Sequence, residues 1–381
     1  MPFVPDEISV ATVSFVGLSA LWAAVAIAVR LRRPRGSRPH TWIPLSVLYG
    51  SVLLSGPIAL ANGVPFAEWF RGAVPFVFLA TYFLFPVLTP DDGVFVLRSI
   101  VLAVICWLLK ALATALPDFI SGTQARLTYV SQDFQLPLAL IGITVTLFWG
   151  MRRRPVESVV LIAVLLAVII ATGYRSQAIL VALLWVVYVA RQPRRRRFGL
   201  TIASLAIAGA LLGWLVSSPF GETYLARFED LQDELRSQRA VETLYGYSKF
   251  SEAPILGKGL GFPVPLAVNQ FGATEPVSVA TSDHVGYLHN VWIYLCMDLG
   301  LLGLVAYFAF FAASIRTGLK SGASAGDATV AVSVTVATLL LYFTVEAAFR
   351  EIQMNFLLGS LCAVLAKTER STAQRVPAAG A

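Results

Sequence analysis

Long apolar runs separated by short polar clusters dominate the chain. Ile8 to Val29 and Trp42 to Ala61 each hold the roughly twenty mostly apolar residues that a helix needs to cross a bilayer core. Further runs predict helical spans over 70–88, 99–116, 135–150, 156–172, 176–190, 199–217, 288–315, 328–347 and 352–366. With 8–29 and 42–61, these describe an all-α, polytopic transmembrane helical bundle of about eleven spans. The apolar pattern lapses over 218–287. The expected organisation is therefore spans one to eight in 1–217, one large loop in 218–287, and spans nine to eleven with a tail in 288–381. The loop is expected to be partly helical. Leu225, Phe228, Leu231 and Leu235 recur at helical spacing, and a second helix is predicted from about Gln238 to Ala253, before Pro254.

Composition changes the picture only by naming the solvent. The chain is 57% hydrophobic and 13% charged, against about 25% charged in a soluble domain. The mean hydropathy is +0.73. A net charge of +7 raises the question of nucleic acid, but the basic residues lie in short runs beside spans, at 30–38, 152–154 and 191–197. That is the positive-inside signature, and no aromatic interleaving accompanies it, so the expected partner is the lipid bilayer and no nucleic acid.

If those three runs share the cytoplasm, an even number of crossings separates each pair. Residues 155–190 must then form a hairpin, with Gly173-Tyr174-Arg175-Ser176 at its tip. The same parity puts the 218–287 loop and the N-terminus outside and the C-terminus in the cytoplasm. No secretory leader is expected, because Met1-Pro2-Phe3 brings no basic residue and the first apolar run is too long for one. Cys106, Cys296 and Cys362 fall inside spans and supply neither a disulfide framework nor metal spacing.

The candidate chemistry gathers on the outer face. In Gly257-Lys258-Gly259-Leu260-Gly261 the glycines admit either a tight turn or a cradle whose backbone N–H groups, at Gly259 and Gly261, hold a phosphate. The spacing is not that of a nucleotide P-loop. His289-Asn290 stands where the ninth span begins. Arg175, Arg239 and Arg350 share that side, and an ionisable residue at membrane depth is costly enough to suggest function. The planar guanidinium fork suits a diphosphate. Asp298 is poorly placed to partner His289, being nine helical residues away, about 13 Å of rise and half a turn out of phase, so a structural role is expected. Glu346 and Arg350 have the spacing of an i,i+4 pair. A metal is not expected, since no Asp-x-Asp pair occurs; Asp283, His284 and His289 form the one alternative set. No cofactor is expected.

These residues resemble the O-antigen ligase and polymerase superfamily of bacterial envelope glycosyltransferases. Thr172-Gly173-Tyr174-Arg175-Ser176 looks like its T-G-S-R element, with Tyr174 where Ser is usual. Arg239, fifteen residues before Pro254-Ile255-Leu256-Gly257-Lys258-Gly259-Leu260-Gly261, looks like its R…P-hydrophobic-hydrophobic-G-x-G-x-G element. His289-Asn290 followed by Asp298-Leu299-Gly300-Leu301-Leu302-Gly303 looks like its H-N…[ED]-x-G-hydrophobic-hydrophobic-G element. The resemblance covers roughly residues 155–310.

It implies a metal-independent, inverting membrane enzyme of the bacterial cytoplasmic (inner) membrane. Such an enzyme moves a glycan from a polyprenyl-diphosphate (undecaprenyl diphosphate) donor to a glycan or lipid-glycan acceptor. Arg175 and Arg239 would hold the diphosphate, and His289 would take the acceptor proton. Asn290 would orient His289 or a sugar hydroxyl, and Tyr174 would flank the sugar. Gly259, Gly261 and Arg350 would be supporting positions. The alternative is a polysaccharide or lipid-linked sugar transporter (flippase), which would need polar residues or broken helices near the bilayer midplane.

Overall fold

The computed structural model describes residues 41–83, 92–120, 135–172, 175–217, 238–267, 279–285, 288–325 and 327–375. The predicted span 8–29, the amphipathic stretch 225–235 and Tyr174 lie outside these residues. The described part is predominantly helical. Its helices are α1 (Trp42–Ala61), α2 (Phe66–Phe78), α3 (Asp92–Ile120), α4 (Gln135–Val145), α5 (Pro155–Thr172), α6 (Arg175–Ala190) and α7 (Arg194–Ser217). They continue with α8 (Gln238–Glu252), α9 (Val291–Ala325), α10 (Asp327–Tyr342) and α11 (Ile352–Arg375). A π-helical turn, Thr146–Gly150, extends α4. The loop region also contains a two-stranded ribbon, β1 (Val264–Ala267) with β2 (Val279–Val285).

Among the described residues, three helices are long and apolar enough to cross a membrane, over Trp42–Ala61, Gly93–Ala113 and Val291–Lys320. Shorter apolar helices cover Pro155–Ala171, Ser176–Ala190, Asp327–Tyr342 and Ile352–Lys367. Their outward faces carry large apolar side chains such as Ile43, Leu53, Leu102, Leu109 and Ile179. In water so much exposed apolar surface would drive association; against lipid it has no such cost.

The chain forms two compact units, one of residues 1–100, 243–264 and 284–381, the other of 101–242 and 265–283. In the first, α9 packs against α1, α10 and α11, and α2 packs against α1 and α11. Its core is aromatic: Tyr82, Tyr307, Phe310 and Phe311 meet edge to face at centroid distances of 4.8–5.4 Å. In the second, α4, α5 and α6 pack together and α7 leans on α6.

Two spans depart from the sequence expectation. The run predicted as one helix over 70–88 ends its α-helix at Phe78, and the next turns tighten to three-residue hydrogen bonds (Leu79 N to Phe76 O, Ala80 N to Val77 O). Thr81 Oγ1 donates to Phe78 O at 2.9 Å, competing for a carbonyl that a continuing helix would use.

The second departure is in α9, predicted to run unbroken over 288–315. Gly300 interrupts it at φ 65°, ψ −170°. In an intact helix Leu301 N–H would donate to Met297 O and Leu302 N–H to Asp298 O. Instead Leu301 N donates to Pro254 O (2.8 Å) and Leu302 N to Ile255 O (3.3 Å), while Met297 O accepts from Lys258 N (2.7 Å) and Asp298 O from Gly259 N (3.0 Å). The 254–259 segment thus supplies the partners for these four groups. The segment is also wedged from its other sides. Asn62 Nδ2, at the end of α1, donates to Lys258 O at 3.1 Å, and a Cβ on Gly261 would lie 2.5 Å from Glu68 O of α2.

Gly259 is where this wedge is least tolerant. It sits at φ +93°, and an added Cβ would lie 2.4 Å from Ala59 N. Backbone strain and overpacking together predict a loss of about 3 kcal/mol for Gly259→Ala. It should appear as a lowered melting temperature in detergent. Gly199→Ala, on open helical surface, should leave the melting temperature unchanged or slightly raised.

Candidate functional site

His289 sits on a short non-helical tether that is fixed on both sides. Leu288 before it is buried, and a Cβ on Gly246 of α8 would fall 2.7 Å from Leu288 Cδ1 and 2.4 Å from Ile293 Cγ2, so the missing side chain lets α8 approach. Asn290 after it is the N-cap of α9. Its Oδ1 accepts from Trp292 N at 2.9 Å and Ile293 N at 3.3 Å, satisfying two of the four donors that a helix start leaves free. Val291 N donates to Phe343 O, just past the end of α10, at 3.1 Å. His289 is half-buried. The Asn290 carbonyl oxygen, expected to orient His289 or a sugar, is committed to the helix start.

Arg350 ends a 3-10 turn, Ala347–Arg350, between α10 and α11. The turn is pinned by ring contact between Phe349 and Tyr294 (4.9 Å) and by Asn355 Nδ2, which donates to Phe349 O and, at 3.2 Å, to Glu351 O. Arg350 interacts electrostatically with both Tyr294 and Asp298. The expected i,i+4 relation between Glu346 and Arg350 is corrected: α10 ends at Tyr342, and Glu346 has extended backbone (φ −138°, ψ 144°), so the two are not stacked on one helix.

The phosphate-cradle reading of the glycine loop is also corrected, because its donors are already engaged. Lys258 and Gly259 N–H go to α9 carbonyls, and Gly261 N donates to Asp298 Oδ2 at 3.2 Å. The charge of Lys258 is likewise met, with Nζ 2.8 Å from Glu252 Oε2. Lys249 Nζ reaches Glu252 Oε1 at 2.6 Å. The hydrogen bonds from Lys249 and Lys258 hold the Glu252 carboxyl below its usual range, and the bond to Glu252 pushes the Lys249 ammonium up. Gly259 and Gly261 therefore act as packing elements. Asp298 is what sequence reasoning underrated: wholly buried, it takes the loop with one side-chain oxygen and its own carbonyl. The signal for it was local, the break-prone Asp298-Leu299-Gly300 placed after a glycine-rich segment.

Arg175 is the first residue of α6 and Arg239 the second of α8. Both occupy helix N-terminal ends, where free N–H groups and the helix dipole favour anions. They belong to the second compact unit; His289, Asn290, Gly259, Gly261 and Arg350 belong to the first. Among the described residues no group of three His, Cys, Asp or Glu could hold a metal.

The apolar helices, their exposed apolar faces and the charged residues kept to helix ends are those of a helical membrane protein. The family model described as O-antigen ligase matches residues 160–308, which supports the resemblance to the O-antigen ligase and polymerase superfamily. No curated protein matches this chain. The matched stretch includes Thr172–Ser176, Arg239, the glycine loop, His289-Asn290 and Gly300. Nothing supports the transporter alternative. The broken helix that a transporter would use is present at Gly300, but Leu301 N, Leu302 N, Met297 O and Asp298 O there are bonded to the chain itself.

Two outcomes follow. Asn290→Ala removes the cap and should cost about 1 kcal/mol, read as a lowered melting temperature. Because the Glu252 carboxyl is depressed, its stabilisation is present above the ordinary value of about 4.3 and is lost as pH falls through the depressed value. The melting-temperature gap between wild type and Glu252→Gln should accordingly close as pH is lowered from 7 toward 3.

Proposed function

We propose that the protein is a metal-independent, inverting membrane glycosyltransferase of the polysaccharide polymerase or O-antigen ligase type. It transfers a glycan from a polyprenyl diphosphate carrier to an acceptor hydroxyl on the outer face of the bacterial cytoplasmic membrane. The observation that carries this reading is the O-antigen ligase match, whose 160–308 span contains the arginine, glycine-loop and histidine elements in order. About eleven spans, an external loop over 218–287, an external N-terminus and a cytoplasmic C-terminus complete the topology of the proposal.

The chemistry is a displacement at the anomeric carbon. The acceptor oxygen attacks, the bond from that carbon to the diphosphate oxygen breaks, and negative charge grows on the leaving group. Arg175 and Arg239 hold the diphosphate and stabilise that charge, with the N-terminal dipoles of α6 and α8 adding to the same field. His289 takes the acceptor proton, a general-base task that an imidazole can perform. The helix cap beside it limits its freedom, which keeps the base in register with the acceptor.

The test is reconstitution with a polyprenyl-diphosphate-linked glycan, scoring carrier release and product length. Wild type should release carrier, and His289→Ala and Arg175→Ala should each fall by at least about a hundredfold. A ladder of carrier-linked products identifies a polymerase; transfer only on addition of a lipid acceptor identifies a ligase. Equal turnover by wild type and both variants would remove these residues from the site.

A further inference from the structure

Trp292 and Phe308 stand eight residues before and eight after Gly300. In an unbroken helix they would lie about 24 Å apart. Their rings instead stack, with centroids 3.6 Å apart and planes 11° from parallel. The break at Gly300 therefore reverses the chain, and the first arm of α9 lies back along the second. Gly303 belongs to the same reversal, since a Cβ there would collide with Leu299 Cβ. The glycine loop, which takes the backbone groups at the break, thereby keeps Trp292 seated on Phe308.

This is not the arrangement that two rings adopt by preference. Aromatic pairs favour offset or edge-to-face contact. Tyr82–Phe310 and Tyr307–Phe311 in the same unit meet edge to face, at 5.4 and 4.8 Å. Trp292 is held face down by the backbone. Its indole is nonetheless 42% exposed, so the open surface lies on the side away from Phe308. Exposure alone would fit the aromatic belt at a membrane boundary. Two observations set Trp292 apart. Its ring is pinned, and His289 is three residues away, within about 11 Å of chain. Between them Asn290 Oδ1 accepts from the Trp292 N–H at 2.9 Å, so one cap fixes both.

We propose that Trp292 is a sugar-stacking residue: its open face receives the pyranose ring of the acceptor glycan whose hydroxyl His289 deprotonates. The C–H groups on the apolar face of a pyranose carry slight positive charge, and the face of an aromatic ring is negative, so the two attract. A platform already fixed by Phe308 loses little freedom when the sugar arrives. The inference rests on reading His289 as the base of the proposed transferase.

The experiment uses the full chain in lipid nanodiscs, with its tryptophans replaced by 5-fluorotryptophan, and has two arms. In the first, the oligosaccharide cleaved from the carrier-linked glycan, free of lipid and phosphate, is titrated while fluorine spectra are recorded. The Trp292 resonance, assigned by its loss in Trp292→Phe, should shift saturably. No shift up to the solubility of the sugar would overturn the proposal. So would a resonance that answers to lipid headgroups and not to sugar, the mark of a belt residue. The second arm measures turnover against acceptor concentration. Trp292→Leu, apolar but without a π face, should raise the acceptor KM about tenfold and leave kcat within about twofold. Trp292→Tyr should stay near wild type. An unchanged KM beside a lowered melting temperature would make the stack purely structural and overturn the proposal. If wild type turned over no glycan, the proposed function would fail, and the first arm would still decide whether a sugar seats on Trp292.

Discussion

The exchange of backbone hydrogen bonds at Gly300 is the constraint on which the first unit depends. A helix interrupted in a low-dielectric setting strands two N–H and two C=O groups, and each would be costly without water to meet it. Here Pro254, Ile255, Lys258 and Gly259 present the complementary groups, so a turn-forming segment stands in for one turn of helix. The geometry demands backbone approach closer than any side chain permits. That is why Gly257, Gly259, Gly261 and Gly300 all have positive φ and why an added Cβ at each would overlap backbone atoms.

That exchange organises the elements around it. The end of α1 closes over Lys258 through Asn62, and α2 presses on Gly261 through Glu68. Glu252, at the end of α8, ties the loop from outside by taking both Lys249 and Lys258. This last contact is exposed and contributes little by itself. With the loop locked at one end and α8 laid against Leu288 and Ile293, the start of α9 is held on two sides, and the Asn290 cap gives His289 a rigid base.

The helices expected in the bundle were readable because burial in lipid leaves a local mark. Trp42–Ala61 forms over the run predicted for it, and Gln238–Glu252 lies within one residue of its predicted bounds, stopped by the proline that follows. Arg175 and His289 were likewise found at breaks in apolar runs, where helices must begin. Four features escaped. The turn after Phe78 carries a threonine hydroxyl bond, the span over 288–315 breaks at Gly300, the loop N–H groups of the expected cradle are engaged with α9, and the Glu346–Arg350 spacing falls on backbone that is not α-helical.

What the sequence alone determined is therefore of short range: the apolar periods of the helices, the capable side chains and the glycines that permit positive φ. What only the tertiary structure decided is where those glycines' N–H groups go and what Asp298 does. Gly261 and Asp298 are 37 residues apart, and both are compatible with a plain turn and a plain helix until they meet. Periodicity records which face of an element is apolar, but a backbone hydrogen bond between distant segments leaves no residue pattern, because every residue except proline carries the same donor and acceptor.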